Sequence, residues 1–319
     1  MTSNESNMNS SSEQVWQSPD YNRQLRLVVL AVLFIVSICG NVAVFVWMWH
    51  HRRARNRIHT FIVHLCTADL LVAFICLLSH FIVELLEHTW LIGDVGCRFF
   101  KLLQGFALFS SSSMVVVIAI DRYHSVIYPF KQRLPVNYMI IPAWILAFLL
   151  SLPQVFLWTL LPEENGKEVC HSALNQKWQK QIYLTLVALV NFLFPFLVIT
   201  TCYTRIVLRL WQKRNTILPG KGERRRKAKM KSLRMTFAII LVFVLCGLPY
   251  FAIDLYRFYT PEDRLQIDRN VYAVMAIFSV SHCAVNPFIF ISFNARVTTL
   301  TLKYQENSAL TSTHARIAT

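Results

Sequence analysis

The sequence places a few polar side chains inside long apolar runs, where such groups are costly and usually have a function. Asp69 is the single acid in its run, and Ser111 and Asn286 stand in two other runs, as does Asn41. An acid among amide and hydroxyl oxygens predicts either of two arrangements. One is a sodium site at Asp69, Ser111 and Asn286, since hard cations prefer oxygen ligands. The other is a hydrogen-bond network that only joins helices, and the sequence leaves both open.

A second set of residues shares one face of a predicted helix. Gln104 and Arg122 are 18 residues apart in the sequence, which is about five helical turns or ~27 Å. Lys101 lies one turn before Gln104, and Ser111 lies close to the same face. Lys101 and Gln104 are therefore candidate ligand contacts at one end of a stripe that leads to Arg122. An alternative for Lys101 is that its ammonium simply extends to interfacial water.

The tripeptide Asp121-Arg122-Tyr123 ends this stripe with an acid beside an arginine. Such a pair can open reversibly, so that Arg122 exchanges Asp121 for another partner. No arrangement of nucleophile, metal ligands or phosphate-binding loop stands out elsewhere. We therefore predict that the protein is not an enzyme.

Seven apolar runs surround these residues, and each is long enough to cross a bilayer as a helix. The chain is 55% hydrophobic and only 15% charged, whereas soluble domains carry about 25% charge. The prediction is an all-α bundle of seven transmembrane helices over residues 25–293, in the plasma membrane. The runs are Leu27–Trp49, Thr60–Val83, Leu102–Ile120, Tyr138–Leu161, Ile182–Thr204, Met235–Ile253 and Asn270–Phe293.

The distribution of charge predicts the orientation. The segment from Arg205 to Arg234 is rich in lysine and arginine, with Glu223 as its single acid, and basic loops stay cytoplasmic. Residues 1–24 are then an extracellular tail, with glycosylation sequons at Asn4 and Asn9, and residues 294–319 a cytoplasmic tail. The net charge of +15 thus reflects topology rather than nucleic-acid binding.

The cysteines divide into two groups. Only Cys97 and Cys170 fall on the predicted outer side, and an oxidising exterior favours a disulfide between them. The other cysteines lie inside the runs and are expected to pack as small apolar residues; they are Cys39, Cys66, Cys76, Cys202, Cys246 and Cys283.

Taken together, the chain resembles the rhodopsin-like (class A) G-protein-coupled receptors over nearly its whole length. The landmarks that carry this resemblance are Gly40-Asn41, Leu65 to Leu70, Cys97, Asp121-Arg122-Tyr123, Trp144, Pro195, Tyr203, Cys246 to Pro249, and Asn286 to Phe290. The resemblance implies a switch to a heterotrimeric G protein that involves Asp121, Arg122, Tyr123, Tyr203, Pro249, Asn286 and Pro287.

Within that class, three segments look like the vasopressin/oxytocin receptors: Cys97 to Gln104, Asp121 to Pro129 and Ser151 to Phe156. This likeness implies a small extracellular peptide ligand that contacts Lys101 and Gln104. Receptors for gonadotropin-releasing hormone and adipokinetic hormone are close alternatives. Sodium is the only bound cofactor that the sequence indicates.

Two residues depart from the family pattern. Gly247 replaces the usual sixth-helix tryptophan, which predicts a void and a helix looser by roughly 1 kcal/mol than with alanine. Phe290 replaces a tyrosine and lacks the hydroxyl that would point towards Tyr203. With Asp121 as the only acid near Arg122, we expect a leaky inactive state and weak ligand-independent signalling.

Other classes fit the residues less well. An opsin needs a lysine in the seventh run, and an amine receptor needs an acid in the outer part of the third; both are absent from those runs. A multi-helix transporter is the alternative from another class, although no internal repeat supports it. An orphan receptor with basal activity is the remaining alternative within the family.

Overall fold

The computed structural model describes residues 21–51, 57–87, 89–162, 166–214, 223–260 and 269–294. Within these ranges seven helices are long and apolar enough to cross a membrane. A two-stranded antiparallel sheet is the only sheet in the described part of the chain. The predicted all-α bundle of seven helices is therefore confirmed.

The helices extend beyond the apolar runs at most ends, because polar residues continue a helix where it leaves the hydrocarbon. They are α1 (Tyr21–His50), α2 (Arg57–Leu71, π-helical Val72–Leu77, Leu78–Leu85), α3 (Gly93–Ile127), α4 (Asn137–Ser151), α5 (Lys177–Ala188, π-helical Leu189–Leu193, Phe194–Arg214), α6 (Glu223–Tyr259) and α7 (Arg269–Val280, then 282–294 after a turn at Ser281).

The predicted end of the fourth transmembrane helix is wrong. Instead of continuing to Leu161, α4 ends at Ser151, and one further helical turn spans Gln154–Leu157. Pro153 lacks the N–H that would continue the helical hydrogen bonds. The chain then becomes extended at Trp158, which opens strand β1 (Trp158–Pro162).

A hairpin of β1 and β2 (Glu168–Ser172) covers one end of the bundle. Leu160 pairs with Cys170, and Cys170 forms a disulfide with Cys97 in the first turns of α3. Asp94 of α3 accepts hydrogen bonds of 2.9 Å from both the Leu160 N–H and the Thr159 hydroxyl. The predicted disulfide is confirmed. We call this the disulfide end and the opposite one the Arg122 end.

The third helix is the centre of the bundle. It packs against α2, α4, α5 and α6, and its buried side chains run from Cys97 to Val126. Three consecutive serines, Ser110 to Ser112, are almost fully buried midway along it. Small side chains at this depth let neighbouring helices approach closely. The helix therefore links the two ends of the bundle rigidly.

Replacing Cys170 with serine should remove the covalent link between the hairpin and α3. Loss of a native disulfide typically costs ~2–5 kcal/mol, so we expect a lower melting temperature and sharply reduced surface expression. Thermal unfolding of the purified protein and surface labelling of cells measure both effects. The control is Cys39→Ser, which removes a free, exposed thiol. Equal stability of the two variants would contradict the structural role of the disulfide.

Candidate functional site

Four side chains form a polar centre midway through the bundle: Asp69, Ser111, His282 and Asn286. Asp69 has no exposed surface. Its carboxylate accepts hydrogen bonds from the Ser111 hydroxyl at 3.0 Å and from the Asn286 amide at 2.8 Å. The structure thus brings together the three residues that the sequence suggested, from α2, α3 and α7.

Asn41 does not join the polar centre directly. Its amide donates to the backbone carbonyls of Ser37 at 2.9 Å and of Cys283 at 3.1 Å, which ties α1 to α7. The side-chain oxygens of Asn41 and Asn286 are buried and have no hydrogen-bond partner among the described residues. The polar centre therefore contains one oxygen acceptor, that of Asn286, which no described residue satisfies.

His282 is a member of the centre that the sequence analysis missed. Its Nε2 lies 3.2 Å from the Ser111 hydroxyl oxygen, and its Nδ1 lies 2.9 Å from the Ser279 carbonyl. The ring meets Phe243 edge-on, with 5.7 Å between centroids. The signal available in the sequence was its position, since His282 is a polar side chain inside the seventh apolar run.

At the Arg122 end, Asp121 lies between two arginines. Arg122 forms an ion pair with Asp121, and the Arg57 Nε lies 2.6 Å from the Asp121 Oδ1. Arg122 also donates to the Ser232 hydroxyl of α6 at 2.8 Å. The sequence predicted the pair with Asp121. It missed Arg57, which shares the acid, and Ser232, which connects Arg122 to α6.

The remaining predicted switch residues have separate partners. The Tyr203 hydroxyl lies 2.6 Å from the Thr236 hydroxyl and so joins α5 to α6. Tyr123 packs edge-on against Tyr128, with 6.1 Å between the ring centroids, and this neighbour raises the pKa of the Tyr128 hydroxyl. Phe290, which was not among the predicted switch residues but departs from the family pattern, is buried against Trp47, with 5.2 Å between the ring centroids.

The two proline positions differ in their surroundings. Pro249 lies inside α6, where it removes one helical hydrogen bond. Pro287 of α7 faces Gly40 of α1, and a Cβ atom built on Gly40 would lie 3.0 Å from the Pro287 Cβ. Glycine at position 40 therefore permits the close approach of α1 to α7 beside the polar centre.

At the disulfide end, the predicted ligand contacts Lys101 and Gln104 have different neighbours. The Lys101 ammonium lies 4.1 Å from the centroid of the Trp158 ring, beneath the hairpin. Gln104 donates from its amide nitrogen to the Ser79 hydroxyl of α2 at 3.2 Å. Lys101 accordingly faces β1, and Gln104 faces α2.

Two further polar groups at this end were missed. Gln154 lies within hydrogen-bond distance of Tyr183 and accepts a bond of 2.8 Å from the Trp158 indole, which joins α5 to the hairpin. Asp254 of α6 is only 6% exposed and accepts a bond of 2.9 Å from the Tyr272 hydroxyl. The sixth run was predicted to end at Ile253, so Asp254 fell just beyond it.

The predicted void at Gly247 is wrong. A Cβ atom built on Gly247 would lie 2.9 Å from two ring carbons of Phe192. The Phe192 ring stacks on Phe251 at 5.1 Å and is 6% exposed. Because glycine has no side chain, the phenylalanine of α5 lies directly on the backbone of α6 and occupies the space.

Comparison with known proteins decides the family. The sequence model of the 7 transmembrane receptor (rhodopsin family) matches residues 40–290. The chain belongs to this family. The receptor is 26% identical to the mesotocin receptor of Rhinella marina over 295 residues, which cover 86% of this chain and 75% of the relative.

Two other relatives represent neighbouring branches of the family. The gonadotropin-releasing hormone II receptor of Chlorocebus aethiops is 29% identical over 296 residues, covering 85% of this chain and 76% of the relative. The vasopressin V1b receptor of Mus musculus is 26% identical over 318 residues, which cover 88% of this chain and 75% of the relative. The chain is thus a class A receptor near both branches, and the transporter alternative is wrong. It is a multi-pass plasma-membrane protein and not an enzyme.

The contact between Phe192 and Gly247 predicts a compensating pair. Gly247→Trp puts a second large ring into occupied space, and overpacking costs ~1–3 kcal/mol. Phe192→Ala alone leaves a cavity, which costs ~3–5 kcal/mol. The double variant should therefore lose less stability than the two single variants lose together, and its melting temperature should be correspondingly higher.

The measurement is thermal unfolding of the purified receptor in nanodiscs, analysed as a double-mutant cycle. Phe237→Ala, at a half-exposed ring of α6, supplies the control and should add independently to Gly247→Trp. Additive losses for Phe192→Ala and Gly247→Trp would show that the two positions do not share one space.

Proposed function

We propose that this receptor binds a small peptide hormone or neuropeptide at its disulfide end and activates a heterotrimeric G protein at its Arg122 end. The observation that carries the proposal is the course of α3. This helix bears Lys101 and Gln104 at one end, Ser111 in the polar centre, and Arg122 at the other end. The names of the relatives, receptors for mesotocin, vasopressin and gonadotropin-releasing hormone II, support a peptide ligand.

The disulfide end is proposed to face outward. Disulfides persist in oxidising surroundings, and the lysine-rich and arginine-rich segment between α5 and α6 favours the cytoplasm for the opposite end. Asn4 and Asn9, in the proposed extracellular tail 1–24, lie outside the described residues. The proposed cytoplasmic tail, 294–319, also lies outside them apart from Asn294.

The contacts at the disulfide end suit a peptide backbone. The Lys101 ammonium rests on an aromatic face and has no hydrogen-bond acceptor among the described residues. A carbonyl or carboxylate of the ligand would supply that acceptor. The amide nitrogen of Gln104 donates to the Ser79 hydroxyl. Its amide oxygen can therefore accept a hydrogen bond from a peptide N–H. The pair therefore offers one cationic donor and one acceptor on adjacent turns.

The Arg122 end supplies the switch. The Arg122 guanidinium is held by Asp121 on its own helix and by Ser232 on α6. A movement of α6 around Pro249 would take Ser232 away and free one side of the guanidinium. Arg122 would then be available to a G protein.

The second candidate function is that of a receptor for a peptide like gonadotropin-releasing hormone. Relatives of both kinds match this chain with similar identity, 26% and 29%. Ligand-independent signalling remains a separate prediction. Ser232 contributes only a neutral hydroxyl to the restraint on Arg122. A restraint of this kind is weaker than an ion pair with an acid on α6, which favours measurable basal activity.

Two variants should separate binding from signalling. Gln104→Ala leaves polar ligand groups unpaired, at ~1–3 kcal/mol each, so peptide binding should weaken about ten- to hundredfold. Arg122→Ala should abolish guanine-nucleotide exchange while peptide binding is retained. The probe is the most active peptide from a screen of short synthetic peptides on membranes that contain the receptor.

The outcomes test each part of the proposal. Unchanged affinity of a folded Gln104→Ala receptor would contradict the ligand site, and exchange by Arg122→Ala would contradict the coupling role. Basal exchange equal to that of mock-transfected membranes would contradict the leaky inactive state but leave the receptor function intact.

We further propose that the polar centre binds a sodium ion. Asp69, Ser111 and Asn286 offer carboxylate, hydroxyl and amide oxygens, the ligand type that hard cations prefer. The buried, unpartnered oxygen of Asn286 fits this donor set. These residues would hold the ion, which would neutralise the Asp69 carboxylate and tie α2, α3 and α7 together.

Sodium should then stabilise the receptor through Asp69. We expect a higher melting temperature in sodium chloride than in choline chloride at equal ionic strength, because a ligand that binds only the folded state stabilises it. Asp69→Asn should remove this difference, whereas Glu87→Gln, on an exposed turn, should keep it. A difference that persists in Asp69→Asn, or is absent from the wild type, would favour the hydrogen-bond network without an ion.

A further inference from the structure

The carboxylate of Asp121 is shared by two arginines, although one would neutralise it. Its Oδ1 accepts a hydrogen bond of 2.6 Å from the Arg57 Nε, and its Oδ2 accepts one from the Arg122 guanidinium. The Asp121 side chain is 1% exposed, so its charge requires a partner. Arg122 alone meets that requirement. The second cation therefore leaves a surplus positive charge at this point of the bundle.

Arg57 is held in place by contacts that do not involve Asp121. Its Nη1 donates to the Leu134 carbonyl at 2.5 Å, its Nη2 lies 3.4 Å from the Met139 sulfur, and its Cζ lies 5.6 Å from the centroid of the Phe61 ring. These three partners belong to the loop between α3 and α4, to α4 and to α2. The bundle therefore fixes the Arg57 guanidinium beside the Asp121 Oδ1 through several elements at once.

The guanidinium of Arg122 keeps one donor without a partner. Its two terminal nitrogens donate to Ser232 and Asp121, but its buried Nε has no hydrogen-bond partner among the described residues. An arginine often binds a carboxylate through two parallel N–H···O bonds, and such a pair is stronger than a single bond. Here Arg57 occupies the oxygen that a second bond would need. Asp121 therefore holds Arg122 through one oxygen rather than two.

The charge of Arg57 acts in the same direction as its hydrogen bond. Two guanidinium groups on one carboxylate repel each other, and this repulsion is stronger where little water screens it. Arg57 therefore weakens the restraint on Arg122 in two ways, because it occupies one acceptor and adds a like charge. Ser232, the partner of Arg122 on α6, contributes only a neutral hydroxyl and does not offset this loss.

We propose that Arg57 is a positioning residue of the switch, which keeps Arg122 loosely held and so sets the threshold for G-protein coupling. The inference rests on the proposed function, in which Arg122 leaves its partners to engage the G protein. Without the Arg57 charge, Arg122 can bind both oxygens of Asp121, and coupling becomes harder. The loop between α3 and α4 shares in this role, because the Leu134 carbonyl helps to fix Arg57.

The test uses Arg57→Gln, which removes the charge but keeps an N–H donor for the Leu134 carbonyl. Guanine-nucleotide exchange is measured on membranes with equal amounts of surface receptor, without ligand and with the most active peptide of the screen. Ligand-free exchange should fall about tenfold, the factor that one additional hydrogen bond with a charged group supplies. The half-maximal peptide concentration should rise. Arg57→Lys keeps the cation and should largely retain the wild-type values.

Two further variants distinguish positioning from a general structural effect. Asp121→Asn removes the charge for which the two arginines compete, so Arg57→Gln should cause no further fall in exchange in that background. A merely structural loss would persist there. Arg133→Gln is the matched control, since Arg133 lies in the loop between α3 and α4 but donates to the Ser125 hydroxyl. It should leave ligand-free exchange and the half-maximal peptide concentration unchanged.

The failures of the two proposals are distinguishable. Exchange by Arg57→Gln at the wild-type rate or faster overturns the role of Arg57 and leaves the receptor function standing. A fall that persists in Asp121→Asn, or that Arg133→Gln reproduces, also overturns it. A silent wild type beside an active Asp121→Asn shows that Arg122 is firmly held, which is the opposite of the inference. Silence of both at the cell surface, with every peptide, contradicts the coupling function itself and the inference with it.

Discussion

The fully buried carboxylate of Asp69 is the constraint around which this receptor is organised. A carboxylate in an apolar interior is tolerated only when other groups stabilise it, and here the partners come from two other helices. This requirement fixes the depth and rotation of α2, α3 and α7 relative to one another. The ends of α3, with Lys101 and Arg122, are then placed on opposite faces of the membrane by the length of one rigid helix.

Much of this arrangement follows from the sequence. The seven apolar runs predict the bundle, because a bilayer requires about 20 apolar residues for each crossing. The isolation of Asp69 in its run predicts a buried partner set. The disulfide between Cys97 and Cys170 follows from their position on the same side of the membrane. Each of these inferences depends on one strong constraint, either the bilayer or the cost of a buried charge.

The features that the sequence did not reveal depend on distances between helices. The filling of the space at Gly247 required the position of Phe192 on another helix. Arg57 shares Asp121 with Arg122 because of the conformation of its side chain. The sequence shows Arg57 only as one basic residue among several. The strand at Trp158 reflects pairing with β2, which outweighs the apolar character of the segment. Tertiary contacts, which local sequence patterns do not encode, decided all three.

The π-helical segment Val72–Leu77 of α2 has a consequence for comparing this receptor with its relatives. A π-bulge accommodates one extra residue within a helix, and each residue turns the helix by about 100°. Positions beyond Leu77, including Ser79 that accepts from Gln104, are therefore rotated relative to an uninterrupted α-helix. A gap-free correspondence with a relative that lacks the bulge would assign Ser79 to the wrong face. Residue numbering through α2 should accordingly follow the observed hydrogen bonds rather than a constant offset.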